Sequence, residues 1–319
     1  AGVNYTMMEF LVEVDKQIYE ISELVKEVSY TDKLNDGCGK LEFSYVDDSL
    51  KIQNGSIVSF RYDNAGIFYG VVFKHGQNKK KEITVTAYDQ LRYCKAKDTI
   101  SVKDSTAANL VRKMCNYFGL KAGTLTNPAY VLPVSVQENK TWLDIIYGAI
   151  EDTLTNSGEW YALRDEFGAV ALRNLKELTL DLILGDYSLA YDYEYEKSID
   201  DDFYNQIKLV SANETTGKAD VYMPYDNASI EKYGLLQYYE VLDKNYNPSQ
   251  AKIKADMLLS LYNREVETLT LNCLGDVRIR AGSSFYGSIE DIELNKRLIV
   301  RSVTHDFLPV HTMTVEVAI

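Results

Sequence analysis

Residues 57–73 have the sequence IVSFRYDNAGIFYGVVF, in which two apolar runs flank a turn. The first run begins at Ile57, and the second extends from Phe68 to Phe73. The intervening DNAG at residues 63–66 consists of residue types that favour tight turns. The segment therefore predicts an antiparallel hairpin.

Similar runs occur throughout the first hundred residues. Apolar residues alternate with polar ones in three further runs: Phe10, Val12 and Val14; Leu41, Phe43 and Tyr45; and Ile83, Val85 and Ala87. Turn residues separate these runs at Asn35-Asp36-Gly37 and His75-Gly76. Several short strands with turns between them predict a small antiparallel barrel or sandwich.

The pattern becomes helical after Lys97. Asp104 or Ser105 is positioned to cap a helix that ends before Gly119, and a second helix is predicted to begin near Asn139 to Thr141. Their apolar faces consist of Ala107, Leu110, Val111, Met114, Cys115 and Phe118, and of Trp142, Ile145, Ile146, Ala149 and Ile150. A hairpin from residue 160 to residue 172 completes a helix-plus-hairpin middle domain.

Strand patterns return at Tyr191, and one helix, starting at Pro248 after Asn247, is predicted to interrupt them. The predicted strands contain Tyr191, Tyr193 and Tyr195; Ile207 and Leu209; Leu269, Leu271 and Cys273; Val277 and Ile279; 285–289; 298–303; and Met313, Val315 and Val317. Gly275 followed by Phe285-Tyr286-Gly287 resembles Gly55 followed by Phe68-Tyr69-Gly70, which a duplicated barrel would explain. The predicted class is α+β and β-rich.

Charge and composition argue against two classes of partner. The chain has 47 acidic and 34 basic residues, a net charge of −13, which disfavours specific nucleic-acid binding and anionic membranes. The one basic run, Lys79-Lys80-Lys81, is interpreted as a solvated hairpin tip. No stretch of about 18 apolar residues occurs, and the start of the chain lacks a signal-peptide pattern, so we expect a protein made in the cytoplasm with no membrane span.

Two histidines near the end of the chain are candidate metal ligands. His305 and His311 flank a turn and would approach each other across a hairpin. A catalytic zinc normally has three protein ligands, and no third one is evident, so a structural pair is the favoured interpretation. No metal or cofactor is predicted.

Nucleophile and carboxylate patterns also predict no catalytic residue. Cys115 and Cys273 fall on apolar faces, and Cys38 between two glycines is expected to be an exposed turn thiol. The acidic groups are Asp47-Asp48, Glu151-Asp152 and Asp200-Asp201-Asp202. Such groups are usually solvated turns or helix ends, although a hydrolase that uses paired carboxylates stays open as an alternative.

Several stretches resemble the tail hub proteins of contractile phages and phage-derived particles, particularly the PBSX-type prophage family. These are Gly55 to Phe60 with 68–72, ITVTAYDQL at 83–91, the helix from Thr106 to Gly119, Trp160 to Arg173, and DFYNQIKL at 202–209. The resemblance covers most of the chain and contains no catalytic signature.

The resemblance implies two tube-like antiparallel β-barrel domains, 1–97 and 191–319, that flank a middle domain, 98–190. It implies a non-enzymatic homotrimer whose six tube-like domains join the hexameric tail tube to the trimeric spike, with baseplate wedge proteins around it. Such a hub is made in the bacterial cytoplasm and assembled into the baseplate of a phage or phage-tail-like particle. The alternatives are a peptidoglycan-active hydrolase and a carbohydrate-binding tail module.

Overall fold

A computed structural model describes residues 8–46, 49–186, 190–243 and 246–319. Within these ranges, no helix has the length and apolar character needed to cross a membrane. Residues 8–46 and 49–88 contain seven strands: β1 (Met8–Val14), β2 (Gln17–Glu20), β3 (Val25–Lys33), β4 (Lys40–Val46), β5 (Ile57–Tyr62), β6 (Ala65–Gln77) and β7 (Glu82–Tyr88).

The antiparallel hairpin predicted for residues 57–73 is confirmed. Strands β5 and β6 are antiparallel with Tyr62 opposite Ala65, which leaves a two-residue loop of Asp63 and Asn64. Both loop residues have positive φ angles, 50° and 65°. This is the loop geometry that matches the twist of the two flanking strands.

A middle unit, residues 90–178, follows the first seven strands. Its elements are a 3₁₀ helix (Gln90–Lys95), β8 (Lys97–Val102), α1 (Ala107–Phe118), β9 (Ala122–Leu125), β10 (Ser135–Thr141), α2 (Trp142–Ser157), β11 (Tyr161–Glu166), β12 (Ala169–Asn174) and a 3₁₀ helix (Leu175–Leu178). Thr106, rather than Asp104 or Ser105, caps α1: its hydroxyl accepts from the Asn109 N–H at 3.3 Å. Gly119 ends that helix in the left-handed conformation, as predicted.

The remaining elements occupy residues 179–186, 190–243 and 246–318. They are β13 (Thr179–Gly185), β14 (Ala190–Ser198), β15 (Gln206–Asn213), β16 (Lys218–Tyr222), α3 (Asn227–Tyr233), β17 (Gln237–Val241), α4 (Pro248–Tyr262), β18 (Val266–Leu274), β19 (Ser284–Ile289), a 3₁₀ helix (Glu290–Ile292), β20 (Leu294–Asp306) and β21 (Thr312–Ala318). As predicted, Asn247 caps α4 and Pro248 is its first residue.

One sheet of thirteen strands, the main sheet, runs through both β-rich segments. Its order is β14-β18-β21-β20-β3-β4-β7-β6-β5-β1-β2, with β19 also paired to β20 and β13 to β19. The two segments meet where β3 pairs with β20, from Lys33 opposite Ser302 to Ser29 opposite Asp306.

The prediction of two separate closed barrels is not confirmed. Among the described residues, no pairing closes either half, and β2 and β14 lie at the two ends of the strand order. The physical reason is the β3–β20 ladder, which uses backbone hydrogen bonds of each half to join it to the other. The fold is β-rich with a large, mainly antiparallel sheet.

An insertion, residues 203–262, differs most from the sequence prediction. One helix was expected here, within a barrel, but β15, β16 and β17 form a separate three-stranded sheet accompanied by α3 and α4. The strand containing Ile207 and Leu209 belongs to this sheet, and both side chains are buried with Ala251, Ala255 and Leu258 of α4. The insertion therefore has a small core of its own between β14 and β18.

Candidate functional site

A buried charged cluster joins the two halves of the main sheet to the middle unit. Asp32 on β3 accepts a 2.8 Å hydrogen bond from Nε of Arg280 and a 3.0 Å bond from the backbone N–H of Ala281. The Nη1 of Arg280 donates to the backbone carbonyl of Asp165, on β11, at 2.7 Å. One guanidinium therefore connects three segments that are distant in sequence.

Two more carboxyls complete this cluster, which we call the junction (Asp32, Asp89, Asp165 and Arg280). Asp89 accepts from the backbone N–H groups of Gly39 at 2.7 Å and Leu91 at 3.0 Å. Asp165 accepts from the N–H groups of Gln90 at 3.1 Å and Gly168 at 2.6 Å. Each carboxyl therefore ties two backbone segments together.

The charges of the junction lie away from water. Asp32, Asp89 and Asp165 are each no more than 5% exposed. Burial raises the pKa of the Asp89 and Asp165 carboxyls, and repulsion from Asp165 raises that of Asp89 further. Burial acts to lower the pKa of Arg280, but Asp32, Tyr30 and Asp89 together outweigh it, so the pKa of Arg280 is raised. The junction is therefore a structural cluster of three buried carboxyls around one guanidinium, and 17% of the Arg280 side chain is exposed.

A second buried ion pair attaches the insertion to the middle unit. The Nζ of Lys254, on α4, lies 2.9 Å from a carboxylate oxygen of Asp152 on α2 and 2.9 Å from one of Glu240 on β17. Burial acts to lower the pKa of Lys254, but the two carboxylates raise it overall. A cavity of about 210 Å³ adjoins this contact, with Tyr246 and Gln137 among its lining residues.

The structure describes two of the three predicted acidic groups. Asp152 is occupied by Lys254, and burial raises the pKa of both Glu151 and Asp152. Asp200, Asp201 and Asp202 are exposed in a turn after β14. Asp47 and Asp48 lie outside the described residues. The described acidic groups therefore occur as an ion-paired site within α2 and a solvated turn.

The cysteine predictions hold for two of three residues. Cys115 and Cys273 are buried, at 1% and 0% exposure, as expected for core residues. Cys38 was predicted as an exposed turn thiol, but it is partly buried because its turn packs against the core of the middle unit. Burial raises its pKa to about 11, which disfavours the reactive thiolate. We therefore expect a thiol reagent to label Cys115 slowly in the native protein.

The predicted histidine pair forms at the start and end of the β20–β21 turn. Nε2 of His305 lies 2.8 Å from the carbonyl oxygen of Ile279, so this nitrogen carries the proton and donates. Nδ1 of His305 is then the acceptor, and His311 donates its Nε2–H to it across 2.8 Å. Both rings are buried, at 2% and 8% exposure.

The pair therefore has a structural arrangement. Each ring is engaged in this chain of hydrogen bonds, and the face of Phe307 stacks on His311 with ring centroids 4.4 Å apart. Gly275 permits this packing, since a Cβ at that position would collide with the His311 ring. Within the described residues, no group of three His, Cys, Asp or Glu side chains is arranged to hold a metal ion.

Stability should fall in acid because of these rings. Burial lowers the pKa of both, and that of His311 to about 4, with repulsion from His305 adding to the effect. The unfolded chain takes up protons below about pH 6.5, where the folded chain does not, so stability is full above that pH and is lost on acidification. We expect His311 alone to account for about 3 kcal/mol between pH 7 and pH 4.

Urea unfolding of the wild type and H311Q between pH 7.5 and pH 4.5 measures this effect. The glutamine amide can still donate to His305, but it takes up no proton in the unfolded chain. The difference in free energy of unfolding between the two proteins should therefore narrow as the pH falls. H75Q is the matched control, because His75 is exposed on β6, and it should keep the wild-type pH dependence. Parallel curves for wild type and H311Q would contradict the assignment of a buried neutral pair.

The family of the chain follows from comparison with known proteins. A family model described as YqbQ-like matches residues 28–318. The chain belongs to the YqbQ-like family. Two relatives from Bacillus subtilis (strain 168) are each 26% identical: the uncharacterized protein YqbQ over 273 residues, and the phage-like element PBSX protein XkdQ over 270 residues. Each match covers 83% of this chain and 82% of the relative, and the resemblance to the PBSX-type family is confirmed.

Solved structures share the fold of this YqbQ-like chain. The 43 kDa tail protein of prophage MuSo2 from Shewanella oneidensis matches with a TM-score of 0.72 at 11% identity over 98% of both chains. The Escherichia coli protein c3393, described as a component of the type VI secretion system similar to the phage T4 tail proteins gp27 and gp5, matches with a TM-score of 0.56 at 10% identity. That match covers 92% of this chain and 73% of the other. At these identities the likeness establishes the fold.

Sequence reasoning did not find the junction or the Lys254 contact. Asp32 and Arg280 are 248 positions apart, and Asp152 and Lys254 are 102 apart. A single lysine on the apolar face of a helix was the one usable signal: Lys254 lies three residues after Ala251 and four before Leu258. Such a lysine indicates a buried partner of opposite charge.

Proposed function

We propose that this chain is a non-enzymatic baseplate hub that joins the hexameric tail tube to the trimeric spike of a contractile tail or tail-like particle. The observation that carries the proposal is the β3–β20 ladder, which makes one continuous wall of the two β-rich segments. Each copy contributes two β-rich segments to its main sheet. Three copies would therefore present six β-rich segments to a hexameric tube. The relation to the PBSX protein and the fold shared with tail proteins support the same role.

The proposed domains are 1–97, 98–190 and 191–319, with the insertion inside the third. The junction supports a structural role, because its hydrogen bonds connect both halves of the main sheet to the middle unit. Of the acidic groups considered for the hydrolase alternative, Asp152 is ion-paired with Lys254 and Asp200, Asp201 and Asp202 are exposed in a turn, and both settings favour the structural role. The proposed partners are two further copies, the tube protein, the spike and the wedge proteins.

Light scattering over a concentration series, with and without the spike partner, tests the hub. We expect a trimer, alone at high concentration or with spike at lower concentration, because several contacts in the assembly raise the effective concentration of each. A strict monomer or dimer under every condition would contradict the proposal. Clearing of cell walls by the purified chain, abolished when Asp200, Asp201 and Asp202 are all changed to asparagine, would support the hydrolase instead.

A further inference from the structure

The outer face of the insertion sheet carries an ordered grid of side chains. Pairing in register places Val221, Val210 and Val241 in one row across β16, β15 and β17. The bridge between Gln206 and Tyr225 continues the same register. The two further rows are Met223, Lys208 and Tyr239, and Tyr225, Gln206 and Gln237. We call these nine residues the grid face.

The grid face is unusually apolar for an exposed surface. Its opposite side packs Ile207 and Leu209 against α4, so the usual pattern would place polar residues outside. Instead, the outer side chains include Val221 at 51% exposure, Met223 at 45%, Tyr225 at 59%, Tyr239 at 56% and Val241 at 65%. The largest contiguous apolar patch on a monomer is often functional, so the grid face is a candidate interaction surface.

Charge restricts what can cover this face. Lys208 is the one charged member of the grid, and no acidic side chain lies within it, although the whole chain has a net charge of −13. A partner must therefore bring apolar side chains together with a carboxylate for Lys208.

The chain itself exposes a surface of that chemistry at the other end of the main sheet. The β1–β2 hairpin and the turn after it expose Ile18 at 68%, Tyr19 at 39% and Leu24 at 43%. The exposed acids Asp15, Glu20 and Glu23 accompany them, against a single lysine, Lys16. Strand β2 ends the sheet order on one side, while β14 and β18, which carry the insertion, end it on the other.

We propose that the grid face binds the β1–β2 hairpin of a second copy of this chain, head to tail. Two different, complementary patches at opposite ends of the main sheet make a heterologous contact. Contacts of this type form a closed ring when the rotation between neighbouring copies is a whole fraction of a full turn. Glu23 is the partner proposed for Lys208, since Glu20 already accepts from the backbone of Phe10 and Ser22. The inference rests on the proposed hub, for which it supplies the contact between copies.

A charge-swap series measured by light scattering tests this contact. K208E alone and E23K alone should each raise the concentration needed for self-association at least tenfold. The chain that carries both changes should associate at a concentration close to that of the wild type. K218E is the matched control, because Lys218 is an exposed lysine of the insertion outside the grid face. Unchanged association in K208E, or no recovery in the double variant, would overturn the proposal.

Cross-linking separates this proposal from the hub itself. In a C38S background, chains with I18C and V241C should be joined by a short bismaleimide into covalent dimers and trimers, and either cysteine alone should not. Trimers that do not cross-link overturn the contact and leave the hub standing. Cross-linked rings that fail to bind tube or spike proteins support the contact and overturn the hub. A chain that forms trimers only with the spike protein and stays uncross-linked in that complex overturns the contact and leaves the hub standing, whereas a monomer under every condition overturns both.

Discussion

Replacing Arg280 with methionine is expected to destabilise the protein by about 3–5 kcal/mol, the typical cost of removing one partner of a buried ion pair. The change leaves Asp32 in a site where 7% of its side chain is exposed, with its charge unbalanced. It also removes the donor to the Asp165 carbonyl, so the middle unit loses a link to the main sheet. Urea unfolding at pH 7 measures the free energy of unfolding.

R278M is the matched control for R280M. Arg278 is paired with Asp276 at 2.7 Å, but 51% of its side chain is exposed. Exposed ion pairs contribute about 0–1 kcal/mol to the free energy of unfolding, so R278M should lower it by no more than that.

The D32N/R280M double variant should be more stable than R280M alone, because an asparagine oxygen can still accept from Ala281 without carrying a buried charge. Equal losses in R280M and R278M would show that the junction does not hold the three segments together.

Replacing Lys254 with methionine is expected to loosen the insertion from the middle unit, with a loss of about 3–5 kcal/mol. Asp152 and Glu240 would then face each other without the cation that both contact at 2.9 Å. Since burial already raises the pKa of Asp152, loss of the lysine should raise it further and favour protonation. Part of the loss should therefore be recovered at pH 5.

Limited proteolysis and urea unfolding of K254M together locate the effect. Cleavage should increase in the segments that join the insertion to β14 and β18, while the main sheet stays protected. K252M is the matched control, since Lys252 is exposed two positions earlier on the same helix. An insertion that stays protected in K254M would mean that the other contacts between α2 and α4 suffice to hold it.

Local features were predictable because each depends on a few neighbouring residues. The Asp63-Asn64 turn, the glycine that ends α1 and the Asn247-Pro248 start of α4 follow from the backbone preferences of single residues. The burial of Cys115 follows from helical spacing alone. The cap of α1 was misplaced to Asp104 or Ser105 because three consecutive residues can all serve as caps, and side-chain geometry chose Thr106.

Pairing between distant segments was decided only by the tertiary structure. An alternating strand indicates which of its faces is buried but not which strand lies beside it. The β3–β20 ladder and the separate sheet of the insertion therefore could not be predicted from the sequence. The same holds for Arg280 and Lys254, whose partners are far away along the chain. The sequence by itself determined the β-rich class, the turns, the helices α1, α2 and α4, and the family resemblance. The tertiary structure decided which strands form the main sheet and which buried charged groups connect it to the middle unit. Both depend on long-range contacts that local backbone preferences do not specify.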